Sequence, residues 1–266
     1  MINILELISK EKENGYSEAN AESKVCQDII LIALSKSILN ENVTIKGGVV
    51  MRSKTKNIRR ATQDLDIDFI KYSLSNDSIE VFVDQLNCIE NITIRRIGEI
   101  EELSQQDYHG KRIFIKVTDN YGNMLNSKTD LGVHKHFEIT QELYCFDVSI
   151  SEEGASLLIN SNEQMLVEKL RSLLKFGPQS TRYKDIFDVC YLSKFVDLNK
   201  LIVCLNTYVF GDKDMKENNV EDVLRRLNFT FKNKMYLRRL KTSDKNWINK
   251  NISDVLDEII FLFNQI

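Results

Sequence analysis

Two aspartates at alternate positions are the residues best suited to chemistry in this chain. Asp64 and Asp66 flank Leu65, and the alternation of acidic residues with Leu65, Ile67 and Phe69 predicts a β-strand with one carboxylate-lined face. Carboxylates on one face can converge on Mg²⁺, the ion that phosphoryl and nucleotidyl transfer require. The alternative is a strand end whose aspartates only face water.

A pair of glycines precedes these aspartates in the chain. Residues 43–45 predict a short strand that runs into Gly47-Gly48, and residues 49–51 predict the start of a helix. Without side chains, the glycine N–H groups can approach a phosphate at the positive end of that helix. A tight turn with no ligand is the alternative.

A basic segment connects the glycines to the aspartates and leads into Thr62. Its cations can pair with phosphate oxygens, or they can form a solvated loop. They are Arg52, Lys54, Lys56, Arg59 and Arg60.

The surrounding patterns indicate an α+β first half. Apolar residues between 25 and 38 recur at helical spacing. Strands are predicted at 92–97, 112–117 and 144–150, which are rich in β-branched or aromatic residues. The segment 128–133 fits no element clearly.

The second half is predicted to be helical. After Ser161, Leu166, Leu170 and Leu173 follow a helical stripe, and no further strand is evident. Gly177-Pro178 should end this helix before another begins near residue 181.

Composition narrows the class of protein. The chain has 266 residues, 42% of them hydrophobic, and a formal charge of −3, so it is a globular protein and not a polycation. Its five cysteines lack C-x-x-C spacing and its start lacks a signal-peptide pattern, which predicts a reduced, cytoplasmic protein. The apolar runs are too short for a membrane span.

The motifs, taken in order, resemble the AbiEii/AbiGii-type nucleotidyltransferase toxins. Residues 46–48 (KGG) and 60–66 (RATQDLD) are similar to the family pattern K-G-G … R-x-[ST]-x-D-[LI]-D. Residues 162–170 resemble its E-x-x-x-x-x-K-L helix, and residues 182–189 resemble its R-D-L-Y-D-L helix. Two positions depart from the pattern: Val49 replaces a frequent hydroxyl residue, and Lys184 separates the arginine from the aspartate.

The resemblance implies a polymerase-beta-like nucleotidyltransferase fold, an α+β mixed sheet flanked by helices. It also implies a core over residues 1–155 and a helical C-terminal lobe over 156–266 that contributes to the active site. The expected activity is Mg²⁺- or Mn²⁺-dependent transfer of a nucleotide from an NTP to an acceptor. Relatives are toxins of toxin–antitoxin or phage-defence (abortive infection) modules, which implies a cognate antitoxin, and some modify the 3′ end of tRNA.

By the same resemblance, the catalytic and nucleotide-binding residues can be assigned. The expected catalytic residues are Asp64, Asp66, Lys169, Asp185 and Asp188. The expected nucleotide-binding residues are Lys46, Gly47, Gly48, Arg52, Arg60, Thr62 and Lys169.

Lys169 lies at the edge of the leucine stripe, where a lysine can also extend its ammonium to water or form a salt bridge. The resemblance assigns it to the triphosphate. Asp185 and Asp188 are three apart and share a helix side. One of them would position the triphosphate or acceptor, or both pair with Lys184 or Lys169.

A third metal ligand is expected from a later strand. Asp130 is preferred to Asp147 for this role, although spacing does not exclude either. His134 and His136 form an H-x-H pair that could indicate zinc or iron, but no further ligand cluster completes the site. His109 has less support still.

A basic stretch at 225–245 is the candidate RNA surface. It contains one acid, and Phe229, Phe231 and Tyr236 are interleaved with its cations, so phosphate contacts and base stacking are both available. A solvated helix face with core aromatics is the alternative. The arginines expected to bind RNA are Arg225, Arg226, Arg238 and Arg239.

The residues and the resemblance together predict a nucleotidyltransferase toxin that transfers a nucleotide to an acceptor, for which the 3′ end of tRNA is one candidate. Two other classes remain: a catalytically inactive NTP- or RNA-binding regulatory module, and a kinase-like phosphotransferase on the same scaffold. The intact Asp64/Asp66 pair argues against the first, and the position of a transferred label separates the second.

Overall fold

The computed structural model describes residues 2–103 and 110–266 and divides into two compact units, Met1–Asn160 and Ser161–Ile266. His109 lies outside the described residues. The expected boundary between 155 and 156 lies inside a strand that ends at Ile159.

The first unit is built on a mixed sheet. Seven strands are present in the described part of this unit, in the order β3-β4-β5-β2-β1-β7-β6. The β2–β5 and β1–β7 pairs are parallel, and the other pairs are antiparallel. The strands are β1 (Val43–Lys46), β2 (Asp64–Phe69), β3 (Ile92–Leu103), β4 (Gly110–Asp119), β5 (Met124–Val133), β6 (Glu142–Val148) and β7 (Ser151–Ile159).

Three of the four helices described in the first unit pack on this sheet, and the N-terminal helix packs on the second helix. The four helices are α1 (Ile4–Glu13), α2 (Glu18–Lys36), α3 (Gly47–Thr55) and α4 (Asn76–Gln85). From residue 25 to residue 34, α2 is buried on all sides, whereas Ile38, the last residue of the apolar pattern, lies beyond the helix and is exposed. Since α3 begins at the residue after β1, the Gly-Gly pair is the strand-to-helix turn that the sequence predicts.

The second unit is helical throughout its described residues. Ser161 caps its first helix by accepting from the Gln164 N–H. That helix ends at Gly177, which has φ +51° and is followed by Pro178 in a 3-10 turn. The helices are α5 (Asn162–Phe176), α6 (Tyr183–Leu192), α7 (Leu198–Leu205), α8 (Val220–Phe231), α9 (Lys234–Thr242) and α10 (Ile252–Phe263).

The predicted mixed α+β class is confirmed, as are the helical second half and the predicted strands. The unclear segment 128–133 belongs to β5, and β7 was not anticipated. No helix within the described ranges is long and apolar enough to span a membrane. All five cysteines are free, and Cys26, Cys190 and Cys204 are buried.

Candidate active site

Strand β2 separates its charged and apolar side chains onto two faces. Leu65, Ile67 and Phe69 are fully buried on one face. Asp64 and Asp66 are half-buried on the other. The predicted strand with one carboxylate face is therefore present, because hydrophobic burial of the alternate positions fixes the orientation of the aspartates.

A row of charged residues crosses the sheet at Asp66. Lys46 on β1 is paired with Asp66, Asp66 with Asp130 on β5, and Asp130 with Arg112 on β4. Directly paired residues of neighbouring strands lie on the same face. The order of charges is therefore positive, negative, negative, positive.

Three ion pairs hold the carboxylates of this face. Lys46 Nζ lies 2.7 Å from Asp68 Oδ1, in a pair that is almost wholly buried. No hydrogen bond of good geometry reaches that buried oxygen, so its contact with Lys46 is an ion pair without a hydrogen bond. Lys128 Nζ lies 2.8 Å from Asp64 Oδ1, where both side chains are partly exposed.

Arg112 holds Asp130 with both arms of its guanidinium. Its Nε and Nη2 donate to Asp130 Oδ1 and Oδ2 at 2.7 and 2.9 Å. Hydrogen bonding to Asp130 raises the pKa of Arg112 above its ordinary value, against the opposing effect of burial. This two-point contact fixes the orientation of the carboxylate as well as its charge.

The two glycines make room for the residues of the second motif. Gly47 has φ +67°, and a Cβ at that position would overlap Asp66 Oδ2 and lie 3.1 Å from Asp66 Cγ. A Cβ at Gly48 would lie 2.7 Å from Thr62 Cβ. The K-G-G and D-L-D motifs therefore depend on each other sterically as well as chemically.

The carboxylates of Asp64 and Asp66 fit a hard divalent cation. They supply oxygen donors from one strand face, and Mg²⁺ is commonly held by one or two carboxylates together with substrate phosphates. Among the described residues, no group of three or more Asp, Glu, His or Cys side chains is arranged to hold a metal. Both oxygens of Asp130 instead accept from Arg112.

Asp130 and Asp147 differ in their distance from β2 within the sheet. Asp130 lies on the neighbouring strand, whereas Asp147 is exposed on the edge strand β6, with β1 and β7 in between. Of the two aspartates, Asp130 is therefore the one beside Asp66 in the sheet. Its role as a metal ligand stays a prediction.

The predicted phosphate-binding residues of the basic segment have different surroundings. Arg52, on α3, contacts Gln27 and lies 3.4 Å from Asp28, in a buried network. Arg60 is buried at the end of a 3-10 turn that spans Ile58–Arg60. Thr62 lies against Gly48. The phosphate roles of these residues stay predictions.

The H-x-H pair is divided between two environments. His134 is buried, and burial lowers the pKa of its imidazole. Its Nε2 lies 3.4 Å from the Gln141 amide. His136 is more exposed, and its Nδ1 lies 3.4 Å from Glu138.

A second cluster of predicted site residues forms within the helical unit. Lys169 Nζ on α5 lies 3.3 Å from Asp185 and 2.8 Å from Asp188 on α6. Asp188 is fully buried and also accepts from the indole N–H of Trp247 at 3.0 Å. Asp185 lies at the surface end of the cluster, 3.0 Å from Arg182. Of the open alternatives, pairing of both aspartates with Lys169 is observed.

The basic segment at 225–245 separates into structural and exposed residues. Arg226 donates to the carbonyls of Leu174 and Lys175 at the end of α5, and Arg239 donates to the Pro178 carbonyl. Arg225, Arg238 and also Arg239 are exposed, and Arg225 lies 3.0 Å from Asp222. Arg226 therefore stabilises the end of α5, and Arg239 stabilises the 3-10 turn that follows it, which sequence alone did not reveal.

The aromatic residues of this segment divide in the same way. Tyr236 and Phe231 are buried in the core of the unit, whereas Phe229 is 61% exposed. Phe229 lines a surface groove of about 520 Å³ together with Phe176 and Met235, which are also exposed. The groove also contains Lys175, Arg226 and Arg239.

A mixed sheet whose D-x-D strand lies against a Gly-Gly turn has the features expected of a nucleotidyltransferase. The sequence profile of the family described as "Nucleotidyl transferase AbiEii toxin, Type IV TA system" matches residues 29–257. The chain belongs to this family, and it is a nucleotidyltransferase of the toxin class. The predicted family is thereby confirmed.

The chain is similar to the crystal structure of an antigenic nucleotidyltransferase-like protein from Paracoccidioides brasiliensis, with 16% identity and a TM-score of 0.39. That similarity covers 82% of this chain and 94% of the other. A comparison with curated proteins gives no match.

The substitution Gly47→Ala tests the steric dependence of the two motifs. The new Cβ would displace the Asp66 carboxylate and would also strain a residue with φ +67°. Gly98→Ala is the matched control, because Gly98 has φ +68° and nothing within 4 Å of its Cβ position. Urea unfolding should show a loss of about 1–2 kcal/mol from conformational strain in the control and about 1–3 kcal/mol more for Gly47→Ala. Equal losses would show that Asp66 does not constrain Gly47.

Proposed function

We propose that the protein transfers a nucleotide from an NTP to an RNA acceptor in a metal-dependent reaction. The observation that carries the proposal is the Asp64/Asp66 carboxylate pair on a strand face directly behind the Gly47-Gly48 turn. Mg²⁺ or Mn²⁺ bound there would offset the charge of the triphosphate and polarise the attacking hydroxyl.

The protein's own groups prepare this face for an anionic substrate. Asp64 and Asp66 would hold the metal, and the N-terminus of α3 directs backbone N–H groups at the turn, where a phosphate is favoured. Lys46 partly offsets the charge of the carboxylates through its pair with Asp68. Arg60 and Thr62 remain the proposed nucleotide contacts that precede the metal-binding strand.

Substitution of either aspartate tests the reaction. Asp64→Asn and Asp66→Asn should each abolish label transfer from an α-labelled NTP to RNA, because a neutral amide binds Mg²⁺ more weakly than a carboxylate. Asp84→Asn, at an exposed position on α4, is the control for loss of one negative charge. Transfer at the wild-type rate by either folded variant would refute the assignment.

The same assay separates the competing functions. Incorporation of the α-phosphate identifies nucleotidyl transfer, whereas transfer of the γ-phosphate identifies a kinase-like enzyme. A protein that binds NTP and RNA but transfers neither label is a regulatory binding module. The intact carboxylate pair favours the first outcome.

Lys169 is proposed to bind triphosphate oxygens. In the helical unit its ammonium is fixed by Asp185 and Asp188 at the edge of the α5 apolar stripe. Asp188 is fully buried, so it acts as a positioning residue for Lys169 and not as a direct ligand. Asp185 is the aspartate of the pair nearer to solvent.

A single substitution of Lys169 would confuse binding with folding, because it leaves a buried carboxylate without its ammonium. The double variant Lys169→Met/Asp188→Asn removes both charges. It should fold, yet its NTP use should weaken by about 2 kcal/mol, roughly thirtyfold in kcat/KM. Trp247 is the only tryptophan and contacts Asp188, so its fluorescence reports the integrity of the cluster. Wild-type NTP kinetics in the folded double variant would make Lys169 structural.

The RNA acceptor is proposed to bind the exposed part of the 225–245 segment, with the 3′ end of tRNA the first acceptor to test. Exposed arginines supply phosphate contacts, and Phe229 supplies a stacking surface. Because Arg226 also holds the end of α5 and Arg239 holds the turn after it, these two residues belong in a separate arm of the experiment.

Arg225→Glu/Arg238→Glu should weaken RNA binding and reduce the slope of log K against log salt by about 1.4 if both residues contact phosphates of a single strand. Arg226→Met/Arg239→Met is the comparison, and it should lower the free energy of unfolding because carbonyls at the end of α5 and in the turn after it lose donors. The measurement is RNA affinity across a salt series, with urea unfolding for each variant. An unchanged affinity and salt slope in folded Arg225→Glu/Arg238→Glu would place the acceptor elsewhere.

The family's toxin–antitoxin character implies an antitoxin partner and a nucleotide substrate. We propose that the toxin acts in the cytoplasm and that the module serves phage defence. Co-expression with the neighbouring gene product, scored by rescue of growth, tests the antitoxin.

A further inference from the structure

The three cations of the carboxylate face make different kinds of contact. Arg112 holds both oxygens of Asp130, and Lys46 pairs with Asp68 where both side chains are below 10% exposure. Lys128 is the most exposed of the three, with 35% of its side chain accessible.

Lys128 contacts one oxygen of the carboxylate assigned to the metal. Its ammonium lies 2.8 Å from Asp64 Oδ1, and Asp64 is itself 46% exposed. Lys128 is directly opposite Asp64 in the β2–β5 register, so the contact spans a single interstrand spacing. This oxygen belongs to the face on which Asp64 and Asp66 would hold a metal.

An ammonium and a metal ion compete for the same lone pairs. An exposed, single-point lysine pair contributes little and can rotate away on a flexible stem. The bidentate Arg112–Asp130 pair is oriented at two points and is less exposed, so it is harder to displace. Because of this difference in geometry, Lys128 is the cation that a metal ion displaces most easily.

We propose that Lys128 is a resident counter-ion of Asp64 that the metal displaces on entry, while the Arg112–Asp130 pair stays in place. This inference rests on the proposed function, because it requires Asp64 to be a metal ligand. Lys128 stabilises the carboxylate face without metal and weakens metal binding in the absence of substrate. The ammonium that is released then lies beside the site where the triphosphate enters.

Mn²⁺ binding to the full-length protein, measured by calorimetry and by the electron paramagnetic resonance signal of free Mn²⁺, tests the proposal without turnover. Lys128→Met should tighten Mn²⁺ binding about fivefold, because the competing pair is lost. Lys116→Met is the control. Lys116 lies on the same sheet face, paired with Asn126 two residues along β5 from Lys128, so the substitution removes the same charge without touching Asp64.

A double-mutant cycle isolates the pair. In the Asp64→Asn background, Lys128→Met should leave the remaining Mn²⁺ affinity unchanged, since the competing contact no longer exists. If Lys128→Met does not fold, Lys128→Gln replaces it in the binding experiment. Thermal melting in the absence of metal then shows whether the variant is folded. Equal tightening by Lys116→Met and Lys128→Met would reduce the effect to general electrostatics and would overturn the proposal.

The experiment also separates this proposal from the proposed function. If wild-type protein binds Mn²⁺ and Asp66→Asn abolishes that binding, but Lys128→Met has no effect, only the counter-ion role fails. If wild-type protein binds no Mn²⁺, or Asp66→Asn binds it normally, the metal assignment fails and the counter-ion role fails with it.

Discussion

The arrangement of the first unit depends on placing like charges next to each other on one sheet face. Asp66 and Asp130 are directly paired on neighbouring parallel strands, where side chains lie about 5 Å apart. Like charges at such positions are destabilising unless cations compensate them. The row therefore has Lys46 on one side and Arg112 on the other. The protein's own cations therefore stabilise a carboxylate face that we propose as a binding site for a divalent cation.

The helical unit also contains a negative charge that a lysine compensates, and there the pair is more deeply buried. Asp188 has no exposed surface, and removing one partner of such a buried charge typically costs about 3–5 kcal/mol. It accepts from Lys169 and from the Trp247 indole, so its oxygens have donors from two directions. Burial makes this pair rigid, whereas exposure leaves the Asp64–Lys128 pair exchangeable. A lysine–aspartate pair can therefore be fixed or exchangeable, depending on its exposure to solvent.

The sequence predicts those parts of the site that depend on residues close together in the chain. Alternation fixes the faces of β2, and the glycine pair marks the turn into α3. Strand β5 was unclear because its core-facing positions include the buried hydroxyl residues Ser127 and Thr129, so hydrophobic alternation is weak. Strand β7 begins with Ser-Glu-Glu-Gly, a stretch without apolar side chains in which Gly154 has φ +72°. The alternation of buried residues that indicates a strand starts only after this glycine.

The counter-ions could not be predicted, because they depend on register between strands that are distant in the chain. Lys128 is significant only because it is paired with Asp64, and Arg112 only because it is paired with Asp130. A shift of one residue in either pairing would turn these cations to the opposite face. The family pattern records the residues on β1 and β2 and is silent about their partners on β4 and β5.

The number of basic residues in the 225–245 segment overstates the surface that is available to RNA. Arg226 and Arg239 lie in the most basic stretch, yet Arg226 donates to carbonyls that the end of α5 leaves without helical partners, and Arg239 donates to the Pro178 carbonyl in the turn that follows. Their positive charge remains, but their geometry is committed to the fold. Arg225 and Arg238 are exposed, as is Arg239, but among the described contacts Arg225 and Arg238 donate to no backbone carbonyl, so their guanidinium groups can adapt to a phosphate without breaking such a bond. A basic segment therefore divides by hydrogen bonding, and not by charge, into residues that build the helical unit and residues that can recognise a nucleic acid.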